Sequence, residues 1–191
     1  MKGELFMNLR QRLSELPEES FYTDKVFFRE VNSDDDLAIA VCELTLPPEQ
    51  QDLVNPAGFS IGRAYLFPND NIPYLIYAIE QGQKIPIGFI LLRFTHDTED
   101  KRSWRYYSTR PPRTNWSYFI VPEHQNKGYG TLSAKLAIRI LMQVAPEYPI
   151  ELTTEQSNLK AQNLYIKLGF EKADELDGDD FVFLYNSVRN D

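Results

Sequence analysis

Hydrophobic residues occur either in strand-like runs or at helical spacing along the chain. The changes between these two patterns predict where strands and helices lie. Val26 to Val31 is rich in β-branched and aromatic residues, which predicts a first strand. Two later apolar runs, Tyr74 to Glu80 and Ile85 to Phe94, are separated by Gln81-Gly82-Gln83, a spacing typical of a β-hairpin. A second hairpin is predicted between Phe170 and Asn186.

In the segments between these strands, apolar residues and capping residues are placed as in helices. Ser33 is a good helix cap and precedes three acidic residues, so a helix is predicted to begin there. The apolar stripe that follows Gly130 predicts a long helix ending before Pro146. Asn158 begins a further helix, which Gly169 stops because glycine readily adopts the left-handed conformation of a helix end.

The first 20 residues are predicted to form an amphipathic helical extension that precedes the main domain, residues 21–191. Four leucines lie at helical spacing in this segment, Leu5, Leu9, Leu13 and Leu16. We expect this helix to dock on the domain or on a second subunit, which leaves a homodimer possible.

Two short strands, Tyr118 to Val121 and Ile150 to Thr154, are each followed by a predicted helix. The resulting order of elements predicts a mixed α/β fold with a central, mostly antiparallel sheet flanked by helices and a central βαβ unit. Residues 95–114, between two strands, are basic and contain Pro111-Pro112, which predicts a long loop. Such a loop is either a solvated face or a flap over a substrate groove.

Composition narrows the possible partners. The net charge of −8 over 191 residues argues against nucleic-acid binding. It suits a cationic small molecule, although solubility also explains it. Cys42, the single cysteine, allows no internal disulfide and is predicted to be a small core residue, and His96 and His124 lack metal-ligand spacing. No apolar run is long enough to span a membrane and no signal peptide is evident, so a cytoplasmic location without metal or membrane contact is expected.

The junction between the strand at Tyr118 to Val121 and the next helix has the chemistry of an anion site. Gly128 and Gly130 allow the backbone to approach a ligand that a Cβ would hold away. Unpaired N–H groups at a helix start, together with the helix dipole, then favour a phosphate or diphosphate.

Two motifs around this junction resemble those of the GNAT superfamily of acyl-CoA-dependent N-acyltransferases. Gln125 to Gly130 matches [Q/R]-x-x-G-x-[G/A], and Asn158 to Phe170 matches N-x-x-A-x-x-L-Y-x-x-x-G-F. The resemblance extends roughly from Val26 to Tyr185. Within the superfamily, the segment Gln51 to Pro56 is most similar to bacterial spermine/spermidine acetyltransferases.

The resemblance implies a site for acetyl-CoA, whose pantetheine would bind the backbone of Phe119, Ile120 and Val121. It places the diphosphate on the amides of Gln125, Asn126, Lys127, Gly128, Tyr129, Gly130 and Thr131. Asn158 is implied to lie near the pantetheine, and it also suits the simpler role of a helix N-cap.

Tyr165 is the candidate catalytic residue that the resemblance implies. A phenol has a pKa of about 10, so it is protonated at neutral pH and can give a proton to the departing thiolate. A tyrosine in the last turn of a helix also commonly serves only for packing.

The base that would deprotonate the amine is not evident. Many family members place an acid on the central strand, but Thr114 to Ser117 contains no carboxylate. Glu43 and Glu80 are candidates, and a water chain is equally possible. Glu123 and His124 are expected to face solvent.

These observations predict an N-acetyltransferase that moves an acetyl group from acetyl-CoA to a primary amine by direct attack, with a small polyamine-like acceptor preferred. Two alternatives stay open at this point. The acceptor can instead be a protein or peptide N-terminus or an amino sugar, or the protein can be a CoA-binding sensor or interaction module without efficient catalysis.

Overall fold

A mixed seven-stranded sheet forms the centre of the molecule, in a computed structural model that describes residues 7–95 and 112–186. The strands are β1 (Val26–Glu30), β2 (Asn71–Glu80), β3 (Gln83–Thr95), β4 (Arg113–Ile120), β5 (Ile150–Thr154), β6 (Glu171–Asp177) and β7 (Asp180–Tyr185). Their order across the sheet is β1-β2-β3-β4-β5-β7-β6. Every neighbouring pair is antiparallel except β4 and β5, which are parallel.

Six α-helices accompany this sheet in the described part of the chain. They are α1 (Leu9–Ser14), α2 (Asp34–Ala38), α3 (Pro48–Gln51), α4 (Ala57–Leu66), α5 (Tyr129–Val144) and α6 (Leu159–Lys167). A π-helical turn, Ile39–Glu43, extends α2, and short 3₁₀ turns occur at Glu18–Phe21 and Pro122–His124. The predicted mixed α/β class is confirmed, and β4, α5 and β5 form the central βαβ unit.

Each face of the sheet carries its own hydrophobic core. On one face α1, α5 and α6 pack against the strands, and Leu136 and Ile140 of α5 are fully buried there. Leu9 and Leu13 of α1 belong to the same cluster, so this helix docks on the sheet. On the other face Ala57 and others from the α2–α4 region cover the strands. Both faces of the central strands are therefore buried.

The start of β4 differs from the sequence expectation. The strand begins at Arg113 instead of Tyr118, because β4 pairs with β3 continuously from Arg113↔Thr95 to Ile120↔Gly88. Thr95 and Arg113, which lie at the two ends of the predicted loop 95–114, belong to β3 and β4. Residues 96–111 lie outside the described residues.

Cys42 is exposed, so its predicted place in the core was wrong. It lies in the π-helical turn, whose wider hydrogen bond runs from the N–H of Leu44 to the carbonyl oxygen of Ile39. In this turn Ala40 and Leu44 occupy the buried positions, which leaves Cys42 on the outer side.

Gly88 on β3 provides a test of the packing between β3 and β4. A Cβ at this position would overlap the carbonyl oxygen of Phe119 and lie 3.2 Å from the Cα of Ile120. Because these are backbone atoms, they cannot move aside cheaply. We expect Gly88→Ala to lower the free energy of unfolding by about 2 kcal/mol, measured by urea denaturation.

Gly62→Ala in α4 is the matched control. Its Cβ would meet no atom within 4 Å, and alanine favours a helix, so the control should be neutral or slightly stabilising. Equal stabilities for the two variants would contradict the close approach of β3 and β4.

Candidate active site

A gap opens between β4 and β5, the two parallel strands at the middle of the sheet. Their pairing is restricted to Thr114↔Ile150, near the start of β4. Beyond this point β4 continues against β3, while β5 continues against β7. The side of β4 that faces β5 is therefore left without a paired strand over the second half of β4.

The direction of the backbone groups along β4 follows from two hydrogen bonds. The N–H of Thr114 donates to Pro149, on the β5 side, and the N–H of Val121 donates to Ile87, on the β3 side. Because the sides alternate along a strand, Phe119 also faces β3, whereas the backbone of Tyr118 and Ile120 faces the gap. Of the three residues predicted to offer backbone contacts, Ile120 is the one whose N–H points into the gap.

The loop from β4 to α5 presents a run of unpaired amides. Asn126 and Gly128 both have positive φ, 60° and 87°, and Gly128 is the N-cap of α5. The N–H of Gln125 donates to Pro122 within the loop. From residue 126 to residue 131 the backbone N–H groups have no hydrogen-bond partner within the described residues. These donors, with the helix dipole behind them, form a candidate anion site.

Gly130 leaves space above the gap that the protein does not fill. A Cβ there would lie 3.8 Å from the hydroxyl of Tyr118 and 4.0 Å from Cγ1 of Ile120, which are ordinary contacts. The packing of the protein therefore does not require glycine at this position. Together, the unpaired amides, the open space at Gly130 and the gap beside Ile120 fit an extended ligand that carries a diphosphate.

Tyr165 lies on α6 and is buried among aromatic rings. Its ring centroid is 5.7 Å from that of Phe170 and 5.4 Å from that of Phe183. Burial raises the pKa of Tyr165 to about 12, so the phenol is fully protonated at neutral pH. The packing role is therefore present, and the hydroxyl is also in the correct state to act as a proton donor.

Tyr118 connects this phenol to the start of α5. Its hydroxyl donates to the carbonyl oxygen of Gly130 at 3.4 Å. Burial, and then the nearby Tyr165, raise the pKa of Tyr118 well above its ordinary value. The two phenols are thus close enough to influence each other, and they lie on the α5 side of the sheet.

Asn158 is the N-cap of α6. Its Oδ1 accepts a hydrogen bond from the N–H of Ala161 at 3.1 Å. The structural role suggested by the sequence is therefore present, and a contact with a cofactor stays a prediction.

The two carboxylates named as possible bases lie in different places. Glu80 ends β2 and accepts a hydrogen bond of 2.6 Å from the hydroxyl of Tyr129, the first residue of α5. Glu43 is exposed in the π-helical turn. Neither has a hydrogen bond to Tyr165 among the described residues.

His124 is more enclosed than its expected solvent-facing position. Its side chain is 17% exposed, and Nδ1 lies 3.9 Å from Oε1 of Glu80. Tyr129 is also near, at 6.2 Å between ring centroids. The expectation failed because the 3₁₀ turn folds His124 back toward β2. Glu123 is exposed, as predicted.

Arg113 and Glu151 form a buried ion pair that the sequence analysis missed. The Arg113 Nε atom lies 2.8 Å from Glu151 Oε1, and the two residues are only 8% and 7% exposed. The pair lies beside Thr114↔Ile150, where the gap begins. A charged residue inside the otherwise apolar start of β5 was the available signal for it.

The described ranges, 7–95 and 112–186, contain neither a cluster of metal-binding side chains nor a membrane-spanning helix. No group of three or more His, Cys, Asp or Glu side chains is placed there to hold a metal ion. The same ranges contain no helix with the length and apolar character needed to cross a membrane.

The motifs, the gap and the anion site agree with a family match over most of the chain. Residues 18–170 match the acetyltransferase (GNAT) family. The chain therefore belongs to the GNAT family of acetyltransferases, as the sequence resemblance indicated.

Similarity to an individual curated protein covers a much shorter part of the chain. The spermidine N(1)-acetyltransferase of Escherichia coli K12 is 37% identical over 70 residues, which cover 37% of this chain and 38% of that protein. The match thus spans little more than a third of the relative's length.

Solved structures confirm the fold. A domain from Methanocaldococcus jannaschii has a TM-score of 0.62 at 14% identity, covering 85% of this chain and 99% of its own. An aminoglycoside acetyltransferase, AAC(6')-Ib, in complex with coenzyme A has a TM-score of 0.62 at 19% identity, covering 83% and 92%.

The raised pKa of Tyr165 predicts how stability depends on pH. The unfolded phenol ionises near pH 10 and the folded phenol near pH 12, so stability is lost as pH rises between these values. The loss from one such phenol is at most about 1.4 kcal/mol per pH unit. In urea titrations from pH 9.5 to 12, Tyr165→Phe should lose stability less steeply than the wild-type protein.

Tyr65→Phe is the control, because this tyrosine is 84% exposed. The control should follow the wild-type slope. Identical slopes for all three proteins would show that folding does not perturb the ionisation of Tyr165.

Proposed function

We propose that the protein transfers an acetyl group from acetyl-CoA to a primary amine of a small polycation. The observation that carries this proposal is the position of Tyr118, which lies beside the β4–β5 gap, donates to Gly130 at the start of α5 and is close to the buried phenol of Tyr165. When bound, acetyl-CoA supplies the activated acetyl group as a thioester.

The backbone provides most of the contacts for the cofactor in this proposal. The N–H of Ile120 and the gap-facing groups of Tyr118 bind the pantetheine arm in the manner of an added strand. The amides from residue 126 to residue 131 bind the diphosphate, and the exposed Lys127 adds positive charge. Asn158 caps α6 beside the pantetheine.

Tyr165 donates the proton that the leaving thiol requires. Because its pKa is about 12, the hydroxyl carries its proton at every pH at which an amine substrate is useful. A buried phenol also excludes water from its surroundings, which favours proton delivery to the sulfur over loss to solvent. As the amine nitrogen bonds to the acetyl carbon and the carbon–sulfur bond breaks, the Tyr165 proton would pass to the departing sulfur, and solvent would then reprotonate the phenolate.

Water is the proposed acceptor of the proton that the amine loses. β4 carries no carboxylate, and Glu80 is already engaged by Tyr129 at the start of α5. Glu43 lies in solvent and is available only through water. Direct attack by the amine suits this arrangement, because Cys42, the single cysteine, lies on the outer side of the π-helical turn.

A polyamine-like acceptor is supported by two observations. The chain has a net charge of −8, which attracts polycations. It also shares 37% identity over 70 residues with a spermidine acetyltransferase. An amino sugar and a protein N-terminus are the competing acceptors. A CoA-binding module without catalysis is the second candidate function, and the absence of a carboxylate on β4 is what favours it.

The test is an amine panel with detection of the released thiol and of the acetylated product by mass. The panel contains spermidine, spermine, an aminoglycoside and a peptide with a free N-terminus. We expect turnover with the polyamines. If the protein binds acetyl-CoA and acetylates none of these amines, the proposed acetyltransferase activity is contradicted and a CoA-binding module is favoured.

Tyr165→Phe should lower kcat with the best amine by a factor of about 10² to 10⁴, the usual contribution of a general acid. The dissociation constant of CoA should change little, because the aromatic ring is retained. Tyr65→Phe is again the control. A kcat within twofold of the wild-type value would leave Tyr165 with a packing role only.

Tyr129→Pro tests the amides at the start of α5. Proline is well tolerated at the first position of a helix, so the variant removes one unpaired N–H. Because proline disfavours the ψ of −7° at the preceding Gly128, an unchanged thermal midpoint is required before the affinities are compared. We expect the dissociation constant of acetyl-CoA, measured by calorimetry, to rise about tenfold, because the lost hydrogen bond is to a charged group. Tyr129→Ala, which also loses the contact with Glu80 but keeps the amide, is the control. Equal affinities in the two variants would place the diphosphate elsewhere.

A further inference from the structure

Gln125 joins the loop before α5 to a distant part of the chain. Its Nε2 donates to the carbonyl oxygen of Ile120 at 2.8 Å and to Oε1 of Gln50 at 2.8 Å. A carbonyl oxygen can only accept, so the atom of Gln125 that faces Ile120 must be the nitrogen. The orientation of the Gln125 carboxamide is therefore fixed by its chemistry.

The same reasoning fixes the orientation of Gln50. Because the nitrogen of Gln125 donates, the atom of Gln50 that meets it must be the oxygen. The Nε2 group of Gln50, with two hydrogens, consequently points away from Gln125. It has no hydrogen-bond partner within the residues that the structure describes. The residue as a whole is half-buried.

The contact brings α3 to the anion site. Gln50 belongs to α3 and is 75 residues away from Gln125 in sequence. On either side of α3, Leu46 and Val54 pack on the sheet face opposite α5. Gln125 directly precedes the run of unpaired amides from residue 126 to residue 131. The hydrogen bond therefore holds Gln50, from the opposite face of the sheet, against the residue that precedes this run of backbone donors.

We propose that Gln50 is a ligand-binding residue, which donates from Nε2 to a phosphate or carbonyl oxygen of the acyl-CoA cofactor while its Oε1 is held by Gln125. The inference rests on the proposed function for the identity of the ligand. The proposal gives α3, the short helix between α2 and α4 in the chain, a direct part in cofactor binding. The carboxamide stays neutral and no proton is transferred.

Two substitutions separate this role from a purely structural one. Gln50→Ala removes both the acceptor and the donors. Gln50→Glu keeps an oxygen that can accept from Gln125, but it has no donor and brings a negative charge toward an anionic ligand. If Gln50 served only to hold the loop, glutamate would restore the wild-type behaviour.

The experiment measures the dissociation constant of acetyl-CoA by calorimetry for the full-length wild-type protein and its variants. We expect Gln50→Ala to raise the dissociation constant about three- to tenfold, the size of one hydrogen bond. Gln50→Glu should raise it further, and the excess over Gln50→Ala should shrink in high salt, because salt screens the repulsion.

Gln51→Ala is the matched control, since Gln51 is the exposed neighbour whose Nε2 donates to Leu46 instead. Its dissociation constant should stay within twofold of the wild-type value, and the thermal midpoints of all variants should stay similar. A Gln50→Glu protein that binds as the wild type does, or a Gln50→Ala protein that matches Gln51→Ala, would overturn the inference alone. A wild-type protein that binds no acetyl-CoA would overturn the proposed function as well.

Discussion

The restriction of the β4–β5 pairing to Thr114 and Ile150 is the constraint on which the site depends. Backbone N–H and C=O groups that lose a neighbouring strand need another partner, because burying them unpaired is costly. In this molecule the gap-facing groups of Tyr118 and the N–H of Ile120 lie near the first turn of α5, whose amides are also unpaired among the described residues. Two sets of unsatisfied backbone groups therefore meet in one place, which is the arrangement that the proposed extended anionic ligand requires.

Side chains around the gap come from elements that are well separated along the chain. Tyr165 is presented by α6, Tyr118 by β4, and Gln50 by α3 on the opposite face. Each is fixed by local contacts: aromatic rings hold Tyr165, the carbonyl oxygen of Gly130 engages Tyr118, and Gln125 holds Gln50. Contacts within the protein therefore hold these side chains in place, and such preorganisation lowers the ordering cost of binding a ligand.

Sequence reasoning succeeded where the determining residues are close together in the chain. The motifs Gln125 to Gly130 and Asn158 to Phe170 each lie on a single junction, and the helices predicted after them are present. It did not find the Arg113–Glu151 ion pair or the Gln50–Gln125 hydrogen bond, because both depend on residues brought together by the fold. The exposure of Cys42 was missed for a local reason, since a π-helical turn departs from the regular helical period.

The gap between β4 and β5 also divides the sheet into two parts. β1 to β4 form one hydrogen-bonded ladder and β5, β7 and β6 form another, and a single parallel pair joins them. Side-chain contacts therefore set the distance between the two parts. Examples are the T-shaped contact of Trp116 with Phe170, whose ring centroids are 5.8 Å apart, and the Arg113–Glu151 ion pair. Exchanging these side chains would widen or narrow the gap, while the strands within each ladder would keep their register. The width of the gap is in this way independent of the hydrogen bonds that hold each ladder together.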